Sequence, residues 1–300
     1  VKFKRDCTEL PEKQFKIITV KPTRTILNAA KLIAAKGKSA AVTLTLLREL
    51  SDGFQYEDTE FGTETCPLCK GSRTYTEYYT PDGEAVEYEE GCTNYKARTA
   101  ACPYCNGTGE VVKTVRGMVE VPCPKDDILK EQLDLHEEIG RFVVYAGFQG
   151  SVDRCLRIAK SQGWSVIRAD GRGWYGEDPS GHKFDNKRLL NIFQDEQDTH
   201  QKVVFIGQAG AAGLGLNLTA SPTILFFSNT FDGEARIQAV DRIHRLGMNL
   251  KLGATIIDIE HLPTDRFVKD NLDKKIKLQD MSMGQLRECL ENVDTAFADR

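Results

Sequence analysis

"KVVFIGQAGAAGLGLNLTASPTILFFS", residues 202–228, sets two apolar runs on either side of a glycine-rich connection. The runs "KVVFIG" and "TILFFS" are short and rich in β-branched and aromatic side chains, so each reads as a strand buried on both faces. Three more runs share that character: "RFVVYA" near 141, "WSVIRA" near 164 and "ATIIDI" near 254. Helix-like segments at 150–162, 185–196 and 233–246 separate most of the five. Strands alternating with helices predict a parallel sheet with helices on both faces, an α/β architecture. Ligands of such sheets bind where the strands end, which directs attention to the loops after "VVFIG" and "ILFFS".

The segment "RIQAVDRIHRLGM", residues 236–248, carries three arginines and a histidine on a pattern that otherwise reads as a buried helix. On a helix, Gln238, Arg242 and Arg245 fall within about 60° of one another, while Ala239, Val240 and Ile243 occupy the opposite side. The apolar side suits a sheet. The two arginines then face a shared partner, which should be anionic, because guanidinium forks match carboxylates and phosphates and are costly to desolvate together.

With 300 residues, of which 40% are hydrophobic, the chain can fill an ordinary core. It has no apolar run long enough to cross a membrane and no signal peptide, so a soluble intracellular protein is expected. The formal charge of −4 is unevenly shared. Residues 56–127 hold 7 Lys or Arg against 14 Asp or Glu, and the remainder 33 against 30, so any nucleic-acid surface must be local. Four regions follow. Residues 1–55 include two helical runs broken near Gly37 and are expected to be a helical bridging region. Residues 56–127, rich in Gly, Thr, Tyr and Glu, read as a small insert. Residues 128–262 carry the sheet, and 263–300 read as one or two amphipathic helices.

Nine cysteines in a chain without a secretory signal favour metal over disulfides. "CPLCKGS" at 66 and "CPYCNGTG" at 102 are two C-x-x-C knuckles, and Cys66, Cys69, Cys102 and Cys105 are expected to hold one Zn2+ with four thiolates, a closed structural site. Cys7, Cys155 and Cys289 read as free thiols, and so do Cys92 and Cys123, for which a part in another metal site stays open although no C-x-x-C accompanies either. The knuckles resemble the C-x-x-C-x-G-x-G repeats of the J-protein zinc region, the second fully, the first with Arg73 in place of the final glycine. Basic residues of the insert, Lys70 and Arg73 among them, interleave with Tyr75, Tyr78, Tyr95 and Tyr104 and suit a nucleic-acid backbone. The acidic run "EAVEYEE" argues against uniform phosphate binding. DNA contact, a protein partner and pure scaffold stay open for the insert.

From Arg141 to Met248 the chain resembles the second RecA-like domain of superfamily-two helicases, Swi/Snf-type translocases in particular. "VVYAGFQGSVDRCLRI" resembles motif IV, "VIRADG" the strand that ends in Arg-x-Asp-Gly, "AGLGLNLTAS" motif V and "QAVDRIHRLG" motif VI. The chain departs at two places: Gly207, Gln208 and Ala209 stand where many relatives have Ser-Thr-Arg, and Met248 replaces a glutamine. The resemblance implies a motor that holds ATP between two RecA-like domains, with Mg2+ held by the first. Arg242 and Arg245 would be arginine fingers, with Gln238 orienting them or the attacking water. Gly213, Gly215 and Asn217 would couple the nucleotide cleft to the nucleic-acid track, and Asp170 and Gly171 would lie near the bound strand. Duplex DNA is the favoured partner, RNA the alternative.

A Walker A loop is missing: "LIAAKGKSA" has Leu32 where the pattern needs glycine, and its flanks are helical. No acidic strand end suits magnesium upstream of the sheet. The chain is therefore expected to be the carboxyl-terminal half of a larger ATPase, inactive alone and partnered by an N-terminal RecA-like domain of the same protein, a reading that the Val at position 1 suits. A phage or bacterial protein, in the bacterial cytoplasm, fits this compact form. The competing reading is a zinc-knuckle adaptor for nucleic acid or protein, on a RecA-like scaffold that does not hydrolyse ATP.

Overall fold

Each central strand presents apolar side chains to both faces, and that decides the layering. The computed structural model describes residues 10–86, 96–194, 202–211 and 216–274, apart from the side chains of 58, 114–116 and 273–274. Two compact units emerge, Val1–Gln55 with Glu120–Arg300, and Tyr56–Val119. In chain order the elements are β1 (Lys13–Thr19), α1 (Arg24–Lys36), α2 (Ala40–Ser51), β2 (Phe54–Thr65), β3 (Thr74–Tyr79), β4 (Ala85–Val86), β5 (Lys96–Ala101) and β6 (Glu110–Glu120). They continue with α3 (Lys125–Leu135), β7 (Arg141–Tyr145), α4 (Gln149–Ser161), β8 (Ser165–Asp170), β9 (Gly173–Glu177) and α5 (Leu189–Gln194). The last are β10 (Val203–Gly207), β11 (Thr223–Phe226), α6 (Gly233–Asp241), β12 (Ala254–Glu260) and α7 (Pro263–Lys274).

The main unit is a seven-stranded sheet in the order β1-β12-β11-β7-β10-β8-β9. Every neighbouring pair is parallel except β8 with β9. Val143, Tyr145, Ile167, Phe205, Ile224 and Phe226 point to one face, where they pack with Leu189 and Phe193 of α5 and Ala239 and Val240 of α6. Phe142, Val144, Val166, Val204, Ile206 and Leu225 point to the other, against Leu129 and Leu133 of α3 and Val152, Cys155 and Ala159 of α4. The period-two alternation puts helices on both faces, as the apolar runs require.

All five expected strands are present, and two more extend the sheet. At one edge, β9 returns beside β8 with Asp170 opposite Gly173, leaving Gly171 and Arg172 as a two-residue turn. Gly173, at φ +95, supplies the left-handed residue at this turn, and the Asp170 carboxylate accepts the Arg172 N–H within it. At the other edge, β1 pairs with β12, so the segment expected to be a helical bridge also supplies a strand. The helices α1 and α2 pack together through Ile26, Ala30, Ala34, Leu47 and Leu50. Thr23 caps α1 by accepting from the Ile26 N–H. The helix expected at 233–246 ends at Asp241, so Arg242 is its C-cap and Arg245 lies in the turns beyond. In the expected helical tail, α7 accounts for Pro263–Lys274, and residues 275–300 lie outside the described residues.

The chain leaves the main unit after Gln55 and returns at Glu120. Its two stems are joined by the Val121 N–H donating to the Gly53 carbonyl at 2.8 Å. Arg154 of α4 braces them, donating to the carbonyls of Gly53 at 2.8 Å and Val121 at 3.1 Å while gripping Asp126 through Nε and Nη2 at 2.7 Å each. Gly53 has φ +84, and a Cβ there would come within 2.5 Å of the Cys123 Cβ and 2.8 Å of Arg154, so no larger residue fits.

Below these stems an ammonium is enclosed completely. Lys125 Nζ donates to Asp52 at 3.0 Å and to the Phe227 carbonyl at 3.1 Å, and lies 3.1 Å from Asp265. Ser151 donates to the second Asp52 oxygen at 2.5 Å, and Ser51 to Asp265 at 2.6 Å. One cation thereby ties the ends of α2, α3, β11 and α7 together, with α4 joined through Ser151. Removing it would leave two carboxylates buried without a counter-ion. Lys125→Met is therefore expected to destabilise the protein by about 3–5 kcal/mol, measured by urea denaturation at pH 7. Burial acts to raise the Asp265 carboxyl, but Lys125, Ser51 and the His261 N–H outweigh it and hold the group below its ordinary value. A depressed carboxyl contributes stability above its unfolded value, near pH 4, and loses it as pH falls toward the folded value.

Candidate functional site

The carboxyl ends of β7, β10 and β11 meet at the middle of the sheet. Gly207 ends β10 with its Cα turned toward β8: a Cβ there would lie 2.7 Å from the Ala169 carbonyl, which explains a glycine at this departure from the family pattern. The next residue, Gln208, donates to the Gly147 carbonyl at 3.1 Å, and the Gly147 N–H donates to Ser228 Oγ at 2.9 Å. Side chain and backbone thus lock the loops after β7, β10 and β11 to one another.

Gly213 and Gly215 lie outside the described residues, but the end of that loop does not. Leu216 and Leu218 are buried in the core, which leaves Asn217 between them exposed, its carbonyl accepting from Gln194 at 2.6 Å. The Leu216 carbonyl points at both expected fingers: Arg242 Nη1 is 3.5 Å away and Arg245 Nη1 3.4 Å. Both are at the outer limit of hydrogen bonding. Arg242 is held from behind as well, its carbonyl accepting from the Leu218 N–H at 3.1 Å. Burial raises the Tyr145 phenol far above its ordinary value, while the Arg242 charge pulls the other way. Ala239, Val240 and Ile243 are buried as expected. Gln238 is exposed and donates to Glu234 at 3.2 Å, one turn back along α6.

Asp170 ends β8 with its side chain enclosed. It accepts from the Arg172 backbone N–H at 2.9 Å and from the Arg172 guanidinium at 2.5–3.3 Å, and Arg172 reaches on to both oxygens of Asp153 on α4 at 2.8 and 2.9 Å. Burial opposes its ionisation, but the Arg172 contacts win and hold the carboxyl below its ordinary value. Gly171 is exposed at the tip of this turn. Asp170 therefore stiffens the turn, and Gly171 is the backbone it presents.

Two further arginines stand out. Arg236 forks onto Asp258 of β12 at 2.8 Å through each nitrogen, and its guanidinium lies 4.1 Å over the Phe226 ring. Arg48 of α2 donates to the Asn229 carbonyl at 2.5 Å and lies over the rings of Phe148 and Phe231. Arg236 belonged to the segment read from sequence, but nothing there showed its partner.

The second unit, taken by itself, contains the four-cysteine cluster. The Sγ atoms of Cys66, Cys69, Cys102 and Cys105 all lie within 4.8 Å of one another, with 3.8 Å between Cys66 and Cys102 and 3.7 Å between Cys69 and Cys105. Zinc–sulfur bonds of about 2.3 Å give a regular tetrahedron an edge of about 3.8 Å, so the donor set fits that ion. Among the described residues no other group of this kind is found. Cys123 and Cys155 are buried free thiols in the main unit, and Cys7, Cys92 and Cys289 lie outside the described residues.

The knuckles are related by an approximate twofold. The Cys66 N–H donates to the Gly109 carbonyl at 2.9 Å, and the Cys102 N–H to the Arg73 carbonyl at 2.9 Å. Backbone φ angles match position by position: Lys70 +49 with Asn106 +51, Gly71 +85 with Gly107 +78, and Arg73 +68 with Gly109 +84. Arg73 thus adopts a left-handed conformation that its counterpart gives to glycine. Lys70 and Arg73 are both exposed, and so is Tyr104.

No family model matches the chain. It is 30% identical over 109 residues to a chromatin structure-remodeling complex subunit of Schizosaccharomyces pombe, covering 36% of this chain and 8% of that protein. It is 27% identical over 155 residues to the chromatin-remodeling ATPase INO80 of Kluyveromyces lactis, covering 51% and 10%. Among solved structures, the SWI2/SNF2 ATPase core of Sulfolobus solfataricus in complex with dsDNA matches with a TM-score of 0.51 at 15% identity, covering 96% of this chain and 52% of that one. The chain carries a RecA-like domain of the Swi/Snf type. It spans about a tenth or less of the length of these curated relatives. In this Swi/Snf-type domain the motif V and motif VI segments are adjacent, through Leu216, Arg242 and Arg245. Among the described residues no helix is long and apolar enough to cross a membrane.

The left-handed arginine gives a test of the knuckle geometry. Arg73→Gly is expected to stabilise the cysteine unit by about 1 kcal/mol by removing the Cβ clash, less the entropy that glycine adds to the unfolded chain. Thermal unfolding of the two proteins compares them; a lower midpoint for the glycine variant would contradict the assigned backbone.

Proposed function

We propose that this chain is the carboxyl-terminal motor domain of an ATP-dependent DNA translocase or helicase. The observation that carries the reading is the convergence of Arg242 and Arg245 on the Leu216 carbonyl, where the segments that resemble motifs V and VI meet beside a RecA-like sheet. Two guanidiniums brought side by side present fork donors of the kind that anions take, and a phosphoryl group in transfer spreads charge over oxygens that such donors stabilise. ATP would supply that group, held with Mg2+ by a first RecA-like domain, so these 300 residues alone are expected to be inactive. Gln238, exposed next to the pair, is free to turn toward a bound nucleotide. Asn217, with Gly213 and Gly215, would couple the nucleotide cleft to the track. Gly171, on a turn stiffened by Asp170, is placed to approach a nucleic-acid backbone closely. Duplex DNA is the proposed track, supported by the DNA-bound core of similar fold.

In the full-length protein, Arg242→Ala and Arg245→Ala are each expected to lower DNA-stimulated ATP hydrolysis by about 100-fold or more, while DNA affinity changes by less than about threefold. Near-normal turnover in either variant would remove the finger assignment and favour an adaptor without hydrolysis.

The cysteine unit is proposed to hold one structural Zn2+ through Cys66, Cys69, Cys102 and Cys105. Four thiolates leave no open position for substrate, and a unit whose buried cluster is the four cysteines with Val111 packed against them depends on the ion to fold. Lys70 and Arg73 are proposed as its contacts to nucleic acid, with a protein partner as the competing use. Elemental analysis should find one zinc per chain, and a chelator should raise proteolysis within 56–119 while leaving the main unit resistant. A folded, zinc-free protein would overturn the assignment.

A further inference from the structure

We propose that Arg236 is a positioning residue: by clamping Asp258 and Asn229 it sets where Arg242 and Arg245 stand, and through Asn229 it links that placement to Arg48 of α2. The inference rests on the function proposed above. It begins from how little else holds α6. The helix spans only Gly233–Asp241 and buries just Ala235, Ala239 and Val240, two of them alanines. Small side chains slide easily over a sheet, so packing alone fixes the helix poorly.

Polar contacts fix it at both ends. At the start, Asp232 caps the helix by accepting from the Ala235 N–H at 2.9 Å. Arg236, one turn in, holds both oxygens of Asp258, a carboxylate only 1% exposed, and also bonds the Asn229 side-chain carbonyl. Asn229 closes the triangle, its amide donating to Asp258 at 2.9 Å. The fork geometry matters, since a point charge cannot meet two oxygens and an amide at once. Beyond the far end, His244 Nε2 lies 2.8 Å from the Pro11 carbonyl, and Lys13 of β1 pairs with Asp241 at 3.1 Å. The arginine pair therefore lies between the buried fork and these contacts, with the Leu218 N–H on the Arg242 carbonyl and the buried Ile243 holding it locally.

The same triangle reaches α2. Arg48 donates to the Asn229 backbone carbonyl, and a Cβ at Gly147 would come within 2.9 Å of Arg48, so α2, the loop after β7 and the loop after β11 close on one another here. Asn229 is the shared member: its carbonyl serves Arg48 and its side chain serves Arg236 and Asp258. A shift of α2 would pass through one residue to the base of α6. From Arg236 to Arg242 is six residues, a lever of about 9 Å at helical rise, so a small rotation at the fork moves the guanidiniums appreciably.

The test compares Arg236→Ala, Arg236→Lys and the exchanged pair Arg236→Asp with Asp258→Arg in the full-length protein. An amide both donates and accepts, so Asn229 can serve the exchanged charges by turning over. Loss of the fork should lower kcat of the DNA-stimulated ATPase by about tenfold or more in Arg236→Ala and less in Arg236→Lys. KM for ATP should stay within about threefold, because the arginines act on the transition state. The exchanged pair should recover at least about a third of kcat. Hydrogen exchange of the amides at 237–248 gives a readout that needs no turnover: it should quicken in Arg236→Ala and return in the exchanged pair. If Arg236→Ala fails to fold, Asn229→Ala, which keeps the carbonyl for Arg48, should still quicken exchange. Unchanged exchange in the folded variants, or an exchanged pair with wild-type stability but no recovery, overturns the proposal. If the Arg242 variant turns over normally while exchange behaves as expected, the clamp stands and the motor reading fails.

Discussion

The enclosed ammonium of Lys125 is the contact on which the main unit most depends. Two carboxylates and a peptide carbonyl surround it and two serine hydroxyls hold the carboxylates, so that with the lysine itself five elements distant in sequence meet there. Apolar packing sets each helix on its face of the sheet but tolerates small slips. An ion pair in a dry site does not, because every displacement exposes an unpaired charge to a low dielectric. The cluster therefore acts as a registration point. It holds the start of α3 and the end of α2 against the end of β11, and the loop after β11 leads directly to Asn229 and α6.

The position of the arginine pair thus descends through a hierarchy. The sheet gives the plane, the enclosed lysine fixes where β11 ends, and the Arg236 fork fixes how α6 leaves it. Arg242 and Arg245 need no regular helix beneath them, and α6 stops before both. What they need is a backbone held on two sides, at Leu218 and at the Pro11 carbonyl through His244.

Much of this was legible in the residues. The five inner strands were plain because a strand covered on both faces must be apolar throughout, and "RFVVY" or "VVFIG" can do little else. The edge strands were not, since an edge strand is exposed and carries a mixed pattern: Phe15 and Ile17 of β1 are exposed, with Lys16 between them and Lys13 ahead. The four cysteines announced their cluster by spacing. The end of the helix at Asp241 was hidden, because Arg242 to Leu246 carry good helix formers and tertiary contacts overrode them. Fork partners such as Asp258 were invisible for a different reason: a strand aspartate has no local signature, and only the folded sheet brings it to Arg236.

The closed stems at Gly53 and Val121 bear on how such a chain is assembled. The ends of the insert are pinned together by the main unit through Arg154, so the entropy of closing that long loop is met whether or not the cysteine unit is folded. The sheet then sees only a closed two-strand neck, whatever lies beyond it. A neck of this kind makes the insert exchangeable: a different module, or a short turn, could occupy the same place in the chain without disturbing the strand order or the enclosed lysine.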